Sequence, residues 1–120
     1  MTHFTSVHTV GVPVTDQDRA LEFYTKTLGF SLVSDTPLPQ LGGRWIVVAA
    51  PGGGANLALT PASEAGADTG IRLGTADAAA VHQYLNDEQV STSELLSWPG
   101  VPPMFTFQDP DANTLYVAQD

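Results

Sequence analysis

The sequence predicts an α+β protein built from two βαβββ modules, and three observations predict it. Near the N-terminus the alternating residues Val10, Val12 and Val14 pass directly into a helical pattern. In the middle of the chain two apolar runs close around the turn "PGGG". After the polar stretch "PASEAGADTG" the strand-then-helix order begins again. Leu73-Gly74-Thr75 lies about sixty residues beyond Val14-Thr15, a period long enough for one such unit. The expected layout is a single domain over 1–120, with module one about 5–60, a linker about 61–69 and module two about 70–119.

In "SVHTVGVPVT" the three valines alternate with Thr9, Gly11 and Pro13, the period of a strand with one face in the core. Pro13 lacks a backbone donor, which predicts an edge strand or a strand end. "TDQDRALEFYTKTLGF" then offers Thr15 or Asp16 as N-cap and Asp18 in the first turn. Leu21, Tyr24 and Leu28 follow at helical spacing, and Gly29 is the stop of a helix of about ten residues.

The strands "GRWIVVAA" and "ANLALT" follow. A symmetric turn sets Trp45 opposite Thr60, Val47 opposite Ala58, and Ala49 opposite Asn56. Ile46, Val48, Leu57 and Leu59 then share an aliphatic face that packs under the helix. The other face, with Trp45, Asn56, Ala58 and Thr60, has the composition of a pocket wall.

In the second module "GIRLGT" reads as a strand with Ile71 and Leu73 on one face, and "ADAAAVHQYLNDE" reads as a helix. "TSELLSW" and "MFTFQDPDANTLYVAQ" supply the remaining strands. The turn "DPDAN" pairs Phe107 with Leu115 and Phe105 with Val117 as core, which sets Thr106 beside Tyr116, with Met104 on the same face. Trp98 falls in the Pro-rich loop "SWPGVPPMF", where it serves as a lid or a hydrophobic staple.

Composition excludes several function classes. A chain of 120 residues, 42% hydrophobic and 14% charged, supports one core. Without cysteine there is no disulfide framework, thiolate nucleophile or Cys-ligated zinc. The net charge is −9, and Arg19, Lys26, Arg44 and Arg72 are the four cations. So few cations cannot neutralise a phosphate track, so neither nucleic acid nor an anionic membrane is an expected partner. "MTHFTSVHTV" lacks the basic and apolar regions of a secretory signal, and no apolar run reaches membrane-spanning length, so a cytoplasmic location is expected.

"VGVPVTDQDRALEFYTKTLGF" and "FQDPDANTLYVAQ", one at each end of the chain, resemble the signatures of the vicinal oxygen chelate superfamily. That group includes glyoxalase I, extradiol dioxygenases, fosfomycin-resistance transferases and the bleomycin-binding proteins. The resemblance covers nearly the whole chain. It implies two βαβββ modules whose sheets curl around a shared cavity, and a homodimer. Ala112 stands where the family's turn generally has Gly, so Asn113 is expected to take the left-handed conformation.

Metal-dependent members hold a divalent ion with inward-facing His and Glu side chains. By resemblance the four ligand positions fall on Thr9, Ala58, Gly70 and Tyr116, and none is His or Glu. His8 adjoins the first position but shares a face with Val10 and Val12; only a bulged first strand would turn it inward. His3 lies in the N-terminal tail, and His82 is expected to be an exposed helix histidine. The run Asp109, Asp111, Asn113 echoes a calcium loop, but Thr114 stands where that loop needs Gly, so it reads as an Asx-type hairpin turn. No serine sits in a G-x-S-x-G context, and "PGGGAN" joins two strands instead of opening a helix.

The expected cavity is aromatic and sparsely polar: Thr9, Trp45, Asn56, Ala58, Arg72, Met104, Thr106 and Tyr116, with Trp98 near its mouth. That set suits a flat, partly aromatic ligand stacked on Trp45 and Tyr116, with Arg72 meeting an anionic or carbonyl group. The leading expectation is a metal-independent, cofactor-free binding protein of the bleomycin-resistance type that sequesters a small molecule, in the manner of an antibiotic-resistance protein. Two enzymatic readings stand beside it. One is a metal-dependent lyase, isomerase or dioxygenase using a rotated His8. The other is a metal-free isomerase or cyclase using Tyr116 as acid and Arg72 as stabiliser.

Overall fold

Asp16 accepts a hydrogen bond from the Arg19 amide at 3.0 Å, and this cap starts the first helix directly after the first strand. The computed structural model describes residues 3–120. Met1 and Thr2, which open the stretch read as lacking a secretory signal, lie outside the described residues. The chain divides into two units, one ending at Ala65 and the other spanning Gly66–Asp120.

The first unit runs β1 (Thr9–Val14), α1 (Gln17–Glu22), β2 (Ser31–Leu38), β3 (Gly43–Ala49) and β4 (Asn56–Pro61). Its sheet has the order β1-β4-β3-β2, with β1 parallel to β4 and the other pairs antiparallel. Pro13 lies on β1, an edge strand as predicted. Val12, Val14, Ile46, Val48, Leu57 and Leu59 form the buried face, and α1 packs on β3 and β4. The β3–β4 register, Val47 opposite Ala58 and Val48 opposite Leu57, is the one read from the symmetric turn.

The helix differs from its prediction in one respect. Beyond Glu22 it widens into a π turn, Phe23–Thr27, where the Leu28 amide bonds to the Phe23 carbonyl at 3.0 Å. With Asp16 as the cap, Ala20 and Tyr24 are the buried pair at i, i+4, and Leu21 and Leu28 are only half-buried. Strand β2 was not legible from alternation because six of its eight residues are exposed. It pairs only with β3, and a bulge between Leu32 and Ser34 breaks its period.

The second unit repeats the plan with β5 (Asp68–Thr75), α2 (Ala78–Asp87), β6 (Leu96–Trp98), β7 (Val101–Gln108) and β8 (Thr114–Gln119), in the order β5-β8-β7-β6. The architecture is therefore α+β with two βαβββ modules, as the sequence predicts. Asp77 caps α2, accepting from the Ala80 amide at 3.0 Å. Phe105, Phe107, Leu115 and Val117 are buried in the predicted pairs, together with Ala78 and Leu85 from α2.

Three details of this unit correct the sequence reading. Trp98 is not in a loop: it ends β6 and pairs with Val101 across the Pro99-Gly100 turn. His82 is not a solvated helix histidine. Its ring stands edge-on to Phe105, with centroids 4.9 Å apart, and Nε2 lies 2.9 Å from the Ser93 carbonyl oxygen. In the closing turn Ala112, not Asn113, takes the left-handed conformation, with φ of 59°. Asn113 is instead fully buried, its Oδ1 accepting from the Gly66 and Ala67 amides at 3.1 and 2.9 Å. The Asx turn itself stands as read, with Asp109 Oδ1 accepting from the Asp111 and Asn113 amides, each at 2.9 Å.

Among the described residues, no helix is long and apolar enough to cross a membrane.

Candidate functional site

The two faces of the second sheet differ in chemistry because side chains alternate along each strand. One face carries the phenylalanine core under α2. The other carries Arg72 on β5, Tyr116 on β8 and Thr106 on β7, which stand in one row: Arg72 pairs with Tyr116, and Tyr116 with Thr106. The next row sets Gly74 beside Ala118, Ala118 beside Met104, and Met104 beside Leu96. Thr106, Tyr116 and Met104 thus share one face in the hairpin register read from the sequence, and Arg72 pairs beside Tyr116 on that face. Trp98, 54% exposed, lies two residues beyond Leu96 on β6, past a register shift.

An irregularity in β5 adds a residue that the sequence reading missed. Asp68 pairs with Thr114 and Arg72 with Tyr116, so four steps on β5 match two on β8. In a regular strand Asp68 and Arg72 would be about 13 Å apart. Here the extra residues bulge out and both side chains meet the same tyrosine. Gly70 permits the bulge with φ of 68°. The Thr69 hydroxyl pins it, donating to the Thr114 carbonyl at 2.7 Å and accepting from the Ile71 amide at 3.1 Å.

The resulting contacts are specific. The Tyr116 hydroxyl donates to the Asp68 carboxylate, 3.0 Å from Oδ1 and 2.9 Å from Oδ2. Asp68 Oδ1 also accepts from the Gly70 amide at 3.2 Å. The Arg72 guanidinium stacks on the phenol ring, its Cζ 4.4 Å from the centroid, and Nη1 donates to the Gly70 carbonyl at 2.9 Å. The hydrogen bond to Asp68 is the main cause that raises Tyr116 above its ordinary pKa of 10.0; burial and the Asp68 charge add to this, and the Arg72 charge opposes it. "DTG" was read as the end of a linker; its signal was an acidic residue two positions before a glycine that tolerates positive φ.

In the first unit Thr9 pairs with Asn56 and Ala58 with Gly11, while Trp45 pairs with Thr36 of β2. Ala58 and Val47 are 2% and 5% exposed, and Trp45 is 37% exposed. Ser6, Val7, His8, Gly54, Ala55 and Asn56 line a shallow depression of about 430 Å³, to which Asn56 alone of the expected ligand residues contributes.

By resemblance, the positions that hold the metal ligands in metal-dependent relatives are Thr9, Ala58, Gly70 and Tyr116 in this chain. The β1–β4 register runs unbroken from Thr9 to Val14, so no bulge within the paired strand turns His8 inward. His8 is exposed, with its Nδ1 against the Thr9 hydroxyl. Among the described residues there is no group of three or more His, Cys, Asp or Glu side chains that could hold a metal ion.

Comparison with known proteins adds independent findings. The family model of the Glyoxalase/Bleomycin resistance protein/Dioxygenase superfamily matches residues 5–117. The solved structure of TnmS3, an antibiotic binding protein from Streptomyces sp. CB03234, is 31% identical and superposes with a TM-score of 0.87 over 99% of this chain and 98% of that one. A member of the same superfamily from Sphaerobacter thermophilus DSM 20745 is 29% identical, with a TM-score of 0.90 over 99% of this chain and 100% of that one. A protein of Shewanella frigidimarina (strain NCIMB 400) is 38% identical over 60 residues, a match spanning 49% of this chain and 44% of that protein's length.

Proposed function

Because the chain belongs to the Glyoxalase/Bleomycin resistance protein/Dioxygenase superfamily, we propose that it is a metal-independent binding protein of the bleomycin-resistance type, sequestering a partly aromatic small molecule. The observation that carries this reading is the Tyr116 face. Where a metal-dependent relative is expected to present a carboxylate, this chain presents a phenol already stacked with a guanidinium. An aromatic ligand gains stacking area and hydrogen bonds on such a surface, and neither needs an ion. The antibiotic-binding relative TnmS3 supports the same direction.

In this proposal Arg72, Met104, Thr106 and Tyr116 contact the ligand, with Trp98 at the rim of the face. Trp45 and Asn56, with the neighbouring Thr9 and Ala58, are ligand-contact candidates on the first sheet. A single-domain chain, a homodimer and a cytoplasmic location belong to the same proposal.

Thermal-shift screening tests it, because binding to the folded state raises apparent stability by mass action. The panel holds bleomycin and planar aromatic compounds, each with and without Ni, Zn, Mn or Fe. Stabilisation by an organic compound, unchanged by chelator, is expected. Strong stabilisation by a metal alone would instead favour the metal-dependent lyase, isomerase or dioxygenase reading. Turnover of a bound compound that disappears in Tyr116→Phe while binding survives would assign catalysis to the phenol.

A further inference from the structure

The bulge in β5 does more than bring a carboxylate near the tyrosine. A phenol has one proton, and here that proton points at Asp68. Towards a ligand the phenol oxygen is therefore left as an acceptor, and the two Asp68 oxygens are acceptors as well. The Thr106 hydroxyl can donate or accept, and the charged donors on this face belong to Arg72, which uses Nη1 on the Gly70 carbonyl and forms no ion pair among the described residues.

Charge adds a second condition. Arg72 is the only Lys or Arg after Arg44, and the chain as a whole carries −9. A carboxylate ligand drawn to Arg72 would approach Asp68 at the same tyrosine, inside a field that already repels anions. The local pair cancels, so this face offers an anion little net attraction. A ring-edge hydroxyl or amine, by contrast, finds the phenol oxygen and the carboxylate ready to accept.

Resting on the binding function proposed above, we infer that Asp68 is the specificity-determining residue of the Tyr116 face, selecting aromatic ligands with a hydrogen-bond donor on the ring edge over carboxylate anions. Asp68 acts partly through Tyr116, whose proton it holds, and partly through its own charge. Removing it should free the phenol to donate and leave Arg72 uncompensated, which turns the face towards anions.

Three matched probes test this: 2-naphthol, which donates, 2-methoxynaphthalene, which does not, and 2-naphthoate, which is anionic. Dissociation constants come from amide shifts of the full chain in NMR titrations, read at residues 68–72, 106 and 116. The wild type should bind 2-naphthol at least about fivefold more tightly than either other probe, the worth of one net hydrogen bond. In Asp68→Ala that preference should be lost, with 2-naphthoate gaining at least about fivefold relative to 2-naphthol. Asp68→Asn, which keeps the shape and removes the charge, should move in the same direction and serves if the alanine variant does not fold.

A second readout reports on the phenol directly. The ultraviolet titration of Tyr116, taken as the difference between wild type and Tyr116→Phe, should move to lower pH in both Asp68 variants. An unchanged titration, or a probe order that the variants leave intact, overturns the role of Asp68 while binding stands. If none of the three probes shifts this face in the wild type, the binding function of the face fails with it.

Discussion

Gln17 bonds to both strands at the point where β3 and β4 stop pairing with each other. Its Nε2 donates to the Arg44 carbonyl at 2.6 Å and to the Leu59 carbonyl at 2.9 Å, and its Oε1 accepts from the Arg44 amide at 3.0 Å. The first residue of α1 thus supplies hydrogen bonds that a longer ladder would have made, and it fixes the helix on the sheet.

Gln17→Ala should therefore destabilise the fold by about 1–3 kcal/mol, since three partly buried backbone groups lose their partner. Gln17→Glu should cost at least as much, because a carboxylate cannot donate to two carbonyl oxygens. Urea unfolding midpoints at constant m-value measure both.

Arg44 also joins three elements through its side chain. Nε and Nη2 donate to Asp35 of β2 at 3.0 and 3.1 Å, and Nη1 donates to Asp18 of α1 at 2.7 Å. The hydrogen bond from Arg44 holds the Asp35 carboxyl below its ordinary value of 3.8. A carboxylate whose folded pKa is depressed contributes stability that is present above its unfolded pKa and lost as pH falls through the folded one. Stability should consequently fall as pH drops below about 4, and less steeply in Asp35→Asn. Urea midpoints from pH 6 to pH 3 check this, at low protein concentration because the pI of about 4.3 lies inside the range.

These two clusters show what the sequence could and could not reveal. Strand alternation and the symmetric turns made both hairpin registers readable, down to Thr106 beside Tyr116. Periodicity reports burial, so it was silent on β2, whose side chains are mostly exposed, and on the Gln17 contacts and the Arg44–Asp18 pair, which join residues 26 or more positions apart. Asp68 was missed for a related reason. A bulge displaces a residue from its alternating place, and "DTG" carries no apolar pattern from which the displacement could be seen.

The closing turn gives a pair of opposite predictions. Ala112 sits at φ of 59°, where an L side chain costs about 1–2 kcal/mol and glycine does not. Ala112→Gly should raise stability by about 0.5–1 kcal/mol, the strain relief less the extra chain entropy of glycine. Asn113→Ala should lower it by about 2–4 kcal/mol, because the buried amide bonds to Gly66, Ala67 and Asp109. Thermal and urea unfolding of the two variants separate these outcomes; destabilisation by Ala112→Gly would show that the left-handed residue is not strained.

Arg72→Lys separates shape from charge on the proposed ligand face. The substitution keeps the cation but removes the planar group that lies 4.4 Å over the Tyr116 ring, together with the fork of donors on its outer edge. Because Arg72 is exposed, stability should change by less than about 0.5 kcal/mol. Affinity for whichever compound stabilises the wild type in the thermal screen should weaken about three- to tenfold, as expected for loss of one oriented charge-assisted contact. Calorimetric titration of both proteins decides the matter. Equal affinities would mean that the face uses Arg72 only as a point charge, and equal affinities in Arg72→Leu as well would remove the residue from the site.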